Sequence, residues 1–362
     1  MTEVDRYSPD SLGSKKKFLT EKLVPIAEVL ASRKFNPIPF HDSFVQTTAG
    51  VCMPPFTEKE KPTTKKREFV RVDNNAEIAL DYSLHTEHNE HPTIVIIPGI
   101  TGLSTSPFSV GVANKAVHDG FNAVRVNLRS AGDAGSRSTT SFHAGQTEDI
   151  KEVFNELSSN GLTELYVVAS SFGGNVLLKT IGEMGEEAKK IIRGTALVSP
   201  VVKLDDVVRN MSRFYERQIL RTLKNRVKEK AKKDPKNWDI SSLNKIKGIH
   251  QWESSYQIGP GPIRWDFTDL QQYYKNVSPL PYVGKIAIPT FIIHAEDDPI
   301  VSALPLGGEQ FTNNPQIFVM KTLHGGHAGF VNVVKTGEDL DRHWAQNRVI
   351  EFFNLLQRSQ RV

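Results

Sequence analysis

Apolar, β-branched runs recur along the chain at residues 93–97, 121–127, 164–169, 193–198, 289–294 and 316–321, with helically spaced stretches between them. Such alternation predicts an α/β fold, a mostly parallel central sheet with helices on both faces. Ahead of it, Arg67–Val72 and Glu77–Leu84 flank an Asn74-Asn75 turn and read as a hairpin. Residues 18–35 read as a helix with Leu23, Ile26 and Leu30 on one stripe. Its other face mixes acids with lysines, which favours packing on the core over lying on a membrane.

The alternation breaks between residues 201 and 285, a span several-fold longer than an ordinary connection. The chain therefore divides into an N-terminal extension (1–35), a core (36–200 and 286–362) and an inserted helical cap (201–285). The cap opens with a helix over Arg213–Lys233, with Leu220, Leu223 and Val227 on one side. Counted through Lys236, this stretch holds ten Lys or Arg against three acids. A solvated face explains those charges better than a basic rim for anionic headgroups, because they are not confined to one place. Trp252, Tyr256, Trp265, Phe267, Tyr273 and Tyr274 either line an acyl pocket or seat the cap on the core.

Composition excludes more than it selects. With 362 residues and 38% hydrophobic content the chain is one enzyme-sized unit. A single cysteine, Cys52, excludes an intramolecular disulfide framework and points to a reducing, cytoplasmic compartment. The charged N-terminus has no apolar stretch of the secretory kind, and no run approaches the length of a spanning helix. Peripheral contact with membranes or lipid droplets stays compatible with this. A net charge of +4 with no nucleic-acid motif argues against that partner. His85, His88 and His91 stand at three-residue spacing, but without Cys or the usual ligand pattern they make a poor metal site. "NLRSAGDAGSR" matches neither the dinucleotide fingerprint nor the P-loop, so no cofactor is expected.

The strand ending in "LYVVASSFGGN" (Leu165 to Asn175) carries the chemistry. Ala169-Ser170-Ser171-Phe172-Gly173 fits the G-x-S-x-G elbow with Ala at its first position, and Ser170 is out of register. Ser171 is the expected nucleophile. Two further strand ends supply the remaining groups in the order serine, acid, histidine. Asp298 precedes Pro299-Ile300 and outranks Asp297 and Glu296 as the acid. His327, behind two glycines in "HGGHAGF", is the expected general base and is preferred to His324. The strand 93–97 ends in Pro98-Gly99-Ile100, which makes the Ile100 and Phe172 amides the expected oxyanion donors.

From Phe35 onward, about nine tenths of the chain resembles the YheT-like branch of the α/β-hydrolases. That branch includes α/β-hydrolase-domain lipases and fungal medium-chain ethyl-ester synthases. The matching stretches are "DSFVQT" (Asp42 to Thr47), "VRVNLRSAGDAG", "FHAGQTEDI" (Phe142 to Ile150), "SFGGN", "QQYYKNVSPL", "AEDDPI" and "HGGHAGF". Carried over residue by residue, the family triad falls on Ser171, Asp298 and His327. Two departures stand beside the chemistry: Pro98-Gly99 replaces the family's His-Gly, and Ala169 replaces the elbow glycine. The resulting expectation is a serine carboxylester hydrolase acting on a small-molecule ester with a lipid-like or medium-chain acyl group. Two alternatives remain: an alcohol acyltransferase using the same triad, and a catalytically silent binding protein of the same fold.

Overall fold

The computed structural model describes residues 17–38, 42–57, 63–100, 102–258, 265–337 and 339–361. Eight strands form one sheet in the order β1-β2-β4-β3-β5-β6-β7-β8. They are β1 (Thr63–Asp73), β2 (Ala76–His85), β3 (Thr93–Ile97), β4 (Asn122–Asn127), β5 (Leu165–Ser170), β6 (Ile192–Val198), β7 (Thr290–Ala295) and β8 (Ile317–Thr322). β1 pairs antiparallel with β2 and β2 antiparallel with β4, while every pairing from β4 to β8 is parallel.

The inner strands read as continuous apolar runs because both faces of the sheet are covered. Along β3, Val95 and Ile97 enter one apolar cluster, while Ile94 and Ile96 enter the cluster on the opposite face. The first face is closed by α4 (Thr147–Ser159) and α5 (Ser171–Met184), the second by α1 (Leu23–Ala31), α3 (Pro107–His118) and α11 (Trp344–Arg361). Each fully buried Val, Leu or Ile side chain contributes about 1.5–3 kcal/mol of transfer free energy, so these two layers carry most of the fold. The Leu23, Ile26 and Leu30 stripe is buried in the second layer, and α1 is thus a core-packing helix. It is shorter than the stretch 18–35 that hydropathy suggested. β1 begins four residues before Arg67, because Thr63 to Lys66 are polar and give no apolar signal.

Between β6 and β7 lie α6 (Leu204–Asn210), α7 (Arg213–Lys233), α8 (Ile249–Tyr256), α9 (Leu270–Val277) and α10 (Leu280–Val283). The six aromatic residues singled out from Trp252 to Tyr274 do not share one role. Trp252 and Tyr256 pack with Trp238 and with Leu220, Leu223 and Val227 of α7 to form the insertion's own small core. Phe267, Tyr273 and Tyr274 belong to a different cluster that includes Ala144 and Phe172 of the sheet-bearing part. Trp265 seats the insertion, its indole N–H donating to Ser141 O at 3.1 Å.

Candidate active site

β5 ends in extended backbone at Ser170 (φ −124°, ψ 149°), and the chain reverses at Ser171 with φ +52° before α5 begins. A non-glycine residue in that left-handed region costs free energy and lifts its side chain out of the sheet. The turn needs small neighbours. A Cβ on Gly173 would lie 2.3 Å from Pro98 O, so no side chain fits there. Ala169 is fully buried in the core cluster with Val95, Ile97 and Val167, where its methyl packs as an ordinary core group.

His327 Nε2 stands 2.8 Å from Ser171 Oγ, and His327 Nδ1 stands 2.8 Å from Asp298 Oδ2. With the Nδ1 proton donated to the carboxylate, Nε2 is left to accept the serine hydroxyl. The Asp298 side chain is wholly buried beyond β7, its Oδ1 accepting the Ile300 and Val301 N–H groups at 2.9 Å each. Burial opposes its ionisation. The adjoining His327 ring, His294 and the Val301 N–H outweigh it and hold the carboxyl below the usual carboxylate range. Asp297 instead faces His324 at 3.3 Å and the Gly326 N–H at 2.9 Å, and burial raises its carboxyl. The two adjacent aspartates thus serve two different histidines.

The loop carrying His327 is held from outside the sheet. Helix α2 (Ser43–Cys52), N-capped by Asp42, places Thr47 so that its hydroxyl accepts the His327 N–H at 2.9 Å and donates to Ser43 O at 2.6 Å. Gln46 clasps one residue twice, Oε1 accepting from Val331 N–H and Nε2 donating to Val331 O. A Cβ on Gly326 (φ +59°) would meet Ser43 O at 2.5 Å and Thr47 Oγ1 at 2.6 Å, which explains the glycine before the histidine. Ser199 Oγ accepts the Ala328 N–H on the other side. None of these roles was read from the sequence. "DSFVQT" was a matching stretch without a function, because Thr47 and His327 are 280 residues apart.

Beyond β3, Gly99 passes directly over the serine, with the position of a Cβ on it 3.3 Å from Ser171 Cβ and 3.7 Å from Ser171 Oγ. Ile100 follows. Phe172 is the second residue of α5, so its N–H is among the first four that have no acceptor within the helix. The "FHAGQTED" and "SFGGN" stretches are fastened together by Asn175 Nδ2, which donates to Ala144 O and Val277 O at 2.9 Å each. His143 is buried against Trp265, Phe267 and Tyr273; burial first, then Arg129 and Lys179, push it down to about 3, so it is neutral. Arg129 binds Asp149 through Nε (3.0 Å) and Nη2 (2.6 Å), a buried pair whose disruption ordinarily costs about 3–5 kcal/mol.

Comparison with known proteins agrees with this architecture. A family model described as the alpha/beta hydrolase fold matches residues 92–332. The chain belongs to the α/β hydrolase fold family. Within that family it is similar to the YheT protein of Escherichia coli, 25% identical over 311 residues covering 84% of this chain and 89% of that one. It is also similar to the medium-chain fatty acid ethyl ester synthase/esterase 2 of Saccharomyces cerevisiae, 26% identical with 86% and 72% covered. Among solved structures of this α/β hydrolase fold, a Pyrococcus furiosus esterase superposes with a TM-score of 0.53 at 16% identity, covering 83% of this chain and 96% of that one.

One sequence reading changes. The charges of α7 do not all lie on a solvated face: Lys230 is buried and donates to Ser138 O at 2.5 Å, and Arg226 reaches Ile100 O at 3.1 Å. In the histidine loop, His85 and His91 stack at 4.2 Å while His91 Nδ1 meets Gly120 O. No group of metal-ligating side chains occurs among the described residues, nor does any described helix reach the length and apolarity needed to cross a membrane.

Proposed function

We propose that this protein is a serine hydrolase of carboxylic esters with lipid-like acyl chains. The observation that carries the reading is the continuous hydrogen-bonded line Ser171–His327–Asp298 starting from a strained elbow. Ser171 Oγ attacks the ester carbonyl as its proton passes to His327 Nε2, and Asp298 steadies the imidazolium through Nδ1. The tetrahedral oxyanion is met by the Ile100 and Phe172 N–H groups, each contributing about 3 kcal/mol to the barrier reduction in comparable sites. Collapse expels the alkoxide, which recovers the proton from His327. Attack of water, activated by the same imidazole, on the acyl-enzyme then releases the acid.

A fluorophosphonate probe followed by peptide mapping tests the reaction class. The expected result is one labelled peptide, modified at Ser171. A protein that stays unlabelled while folded would instead be a silent binding member of the fold.

The substrate class rests on the apolar cluster that runs from Phe172 through Phe142, Tyr273 and Ile258 into the insertion. Beside it a cavity of about 40 Å³ touches Ile100, Phe172, Leu223 and Trp252, room for only a few carbons unless the insertion yields. In a series of p-nitrophenyl esters, kcat/KM is expected to climb about four-fold per methylene from acetate, at about 0.8 kcal/mol each, and to level once the pocket is full. A steady fall from acetate onward would show that the insertion forms no acyl site. The yeast relative's name couples synthesis with hydrolysis, so ethanol added to the same series, with ethyl ester as the readout, separates transfer from hydrolysis.

A further inference from the structure

The inserted helix α7 reaches the segment that the proposed reaction uses to hold negative charge. Arg226 Nη1 donates to Ile100 O at 3.1 Å, and Nη2 lies 3.4 Å from the position a Cβ on Gly102 would take. Gly99 O accepts the Gly102 N–H at 2.8 Å, and Gly102, at φ +67°, has its own carbonyl accepting from Leu128 N–H, so the chain turns back beside Ile100. In a trans peptide the N–H points opposite to its carbonyl. Fixing Gly99 O toward Gly102 therefore aims the Ile100 N–H away from the interior of the turn. Ile100 O is in turn held by the guanidinium, so Ile100 is tied on both sides. Arg226 is partly buried and lines the small cavity together with Phe172, the source of the other proposed donor. A guanidinium suits this place because it stays protonated while partly desolvated and can address a carbonyl and a turn in one plane.

We infer that Arg226 is a positioning residue that locks the oxyanion turn, so that the insertion must be seated on the core for the donors to be aligned. This inference rests on the reading of Ser171 as nucleophile. It acts through the Ile100 amide, without touching the reacting atoms. Because Arg226 adds a second tie, on the Ile100 carbonyl, to a donor N–H already oriented through Gly99 O, the lock matters in the transition state, where charge develops, and little in substrate binding.

The test uses the full chain with Arg226→Met, Arg226→Lys and Arg226→Gly, assayed on p-nitrophenyl butyrate. Arg226→Met is expected to lower kcat about 10- to 100-fold with KM within about two-fold, a part of the loss seen when a donor is deleted outright. Arg226→Lys should recover part of that loss, and millimolar guanidinium should reactivate Arg226→Gly without changing its melting temperature. Wild-type kcat in Arg226→Met would overturn the inference, as would a raised KM at unchanged kcat, which would put Arg226 on the substrate. Loss of activity in Arg226→Gly that guanidinium does not reverse would reduce the residue to a structural role. Ser171→Ala run alongside keeps the two ideas apart: activity surviving there overturns the nucleophile whatever Arg226 does.

Discussion

Ser171→Ala is expected to lower ester hydrolysis by about 10⁴- to 10⁶-fold, the range for deleting the nucleophile of a working triad, whereas Ser170→Ala keeps most of the activity. The two serines differ in backbone, not in chemistry. Ser170 closes β5 in extended conformation and is buried. Ser171 sits at φ +52° with its oxygen 2.8 Å from the imidazole. Alanine at 171 inherits the same positive φ, so the melting temperature should stay near that of the wild type and the lost activity cannot be blamed on unfolding. Measured on p-nitrophenyl butyrate, equal rates for wild type and Ser171→Ala would end the assignment.

The second large effect is expected at the acid. Asp298→Asn should cost about 10⁴ in kcat, because an amide can offer its NH₂ to His327 and leave the ring in the wrong tautomer. Asp297→Asn should cost far less. Asp297 faces His324, which lies outside the serine–histidine line, and burial already disfavours its charge, so neutralising it removes little from the folded state. The pH behaviour follows in sign. Asp298 has its carboxyl lowered on folding, so its stabilisation is present above the ordinary carboxylate range and is lost only as pH falls through the folded value. Asp298 is thus ionised throughout neutral conditions, and loss of activity just below neutrality cannot arise from it. A crippled Asp297 variant beside an active Asp298 variant would move the acid by one residue.

Much of this was legible because it is local. The buried strands announce themselves as β-branched runs, and β5 stops at a serine–glycine turn whose crowding is intrinsic to its few residues. The preference for Asp298 over Asp297 came from the Pro299-Ile300 turn, and the structure puts Asp298 on His327 and Asp297 on His324. What stayed hidden is made by side chains reaching across long separations. Helix α2 has weak amphipathicity, and only Gln46 and Thr47 of its ten residues are buried, both of them polar and both turned to the His327 loop. Arg226 and Lys230 were unreadable for a related reason: a lysine or arginine on a helix looks solvated until the loop whose carbonyl accepts its hydrogen bond is in place.

The clasp of Gln46 on Val331, with Thr47 beneath His327, sets the edge of the working unit. All eight strands and the three residues of the serine line lie between Thr63 and Thr336, and by sheet topology alone the unit begins at β1. The imidazole's place, however, is written by a helix, Ser43–Cys52, that lies wholly upstream of the first strand and outside the region that the family model matches. Trimming this protein back to its sheet would therefore preserve a fold and mislay a base.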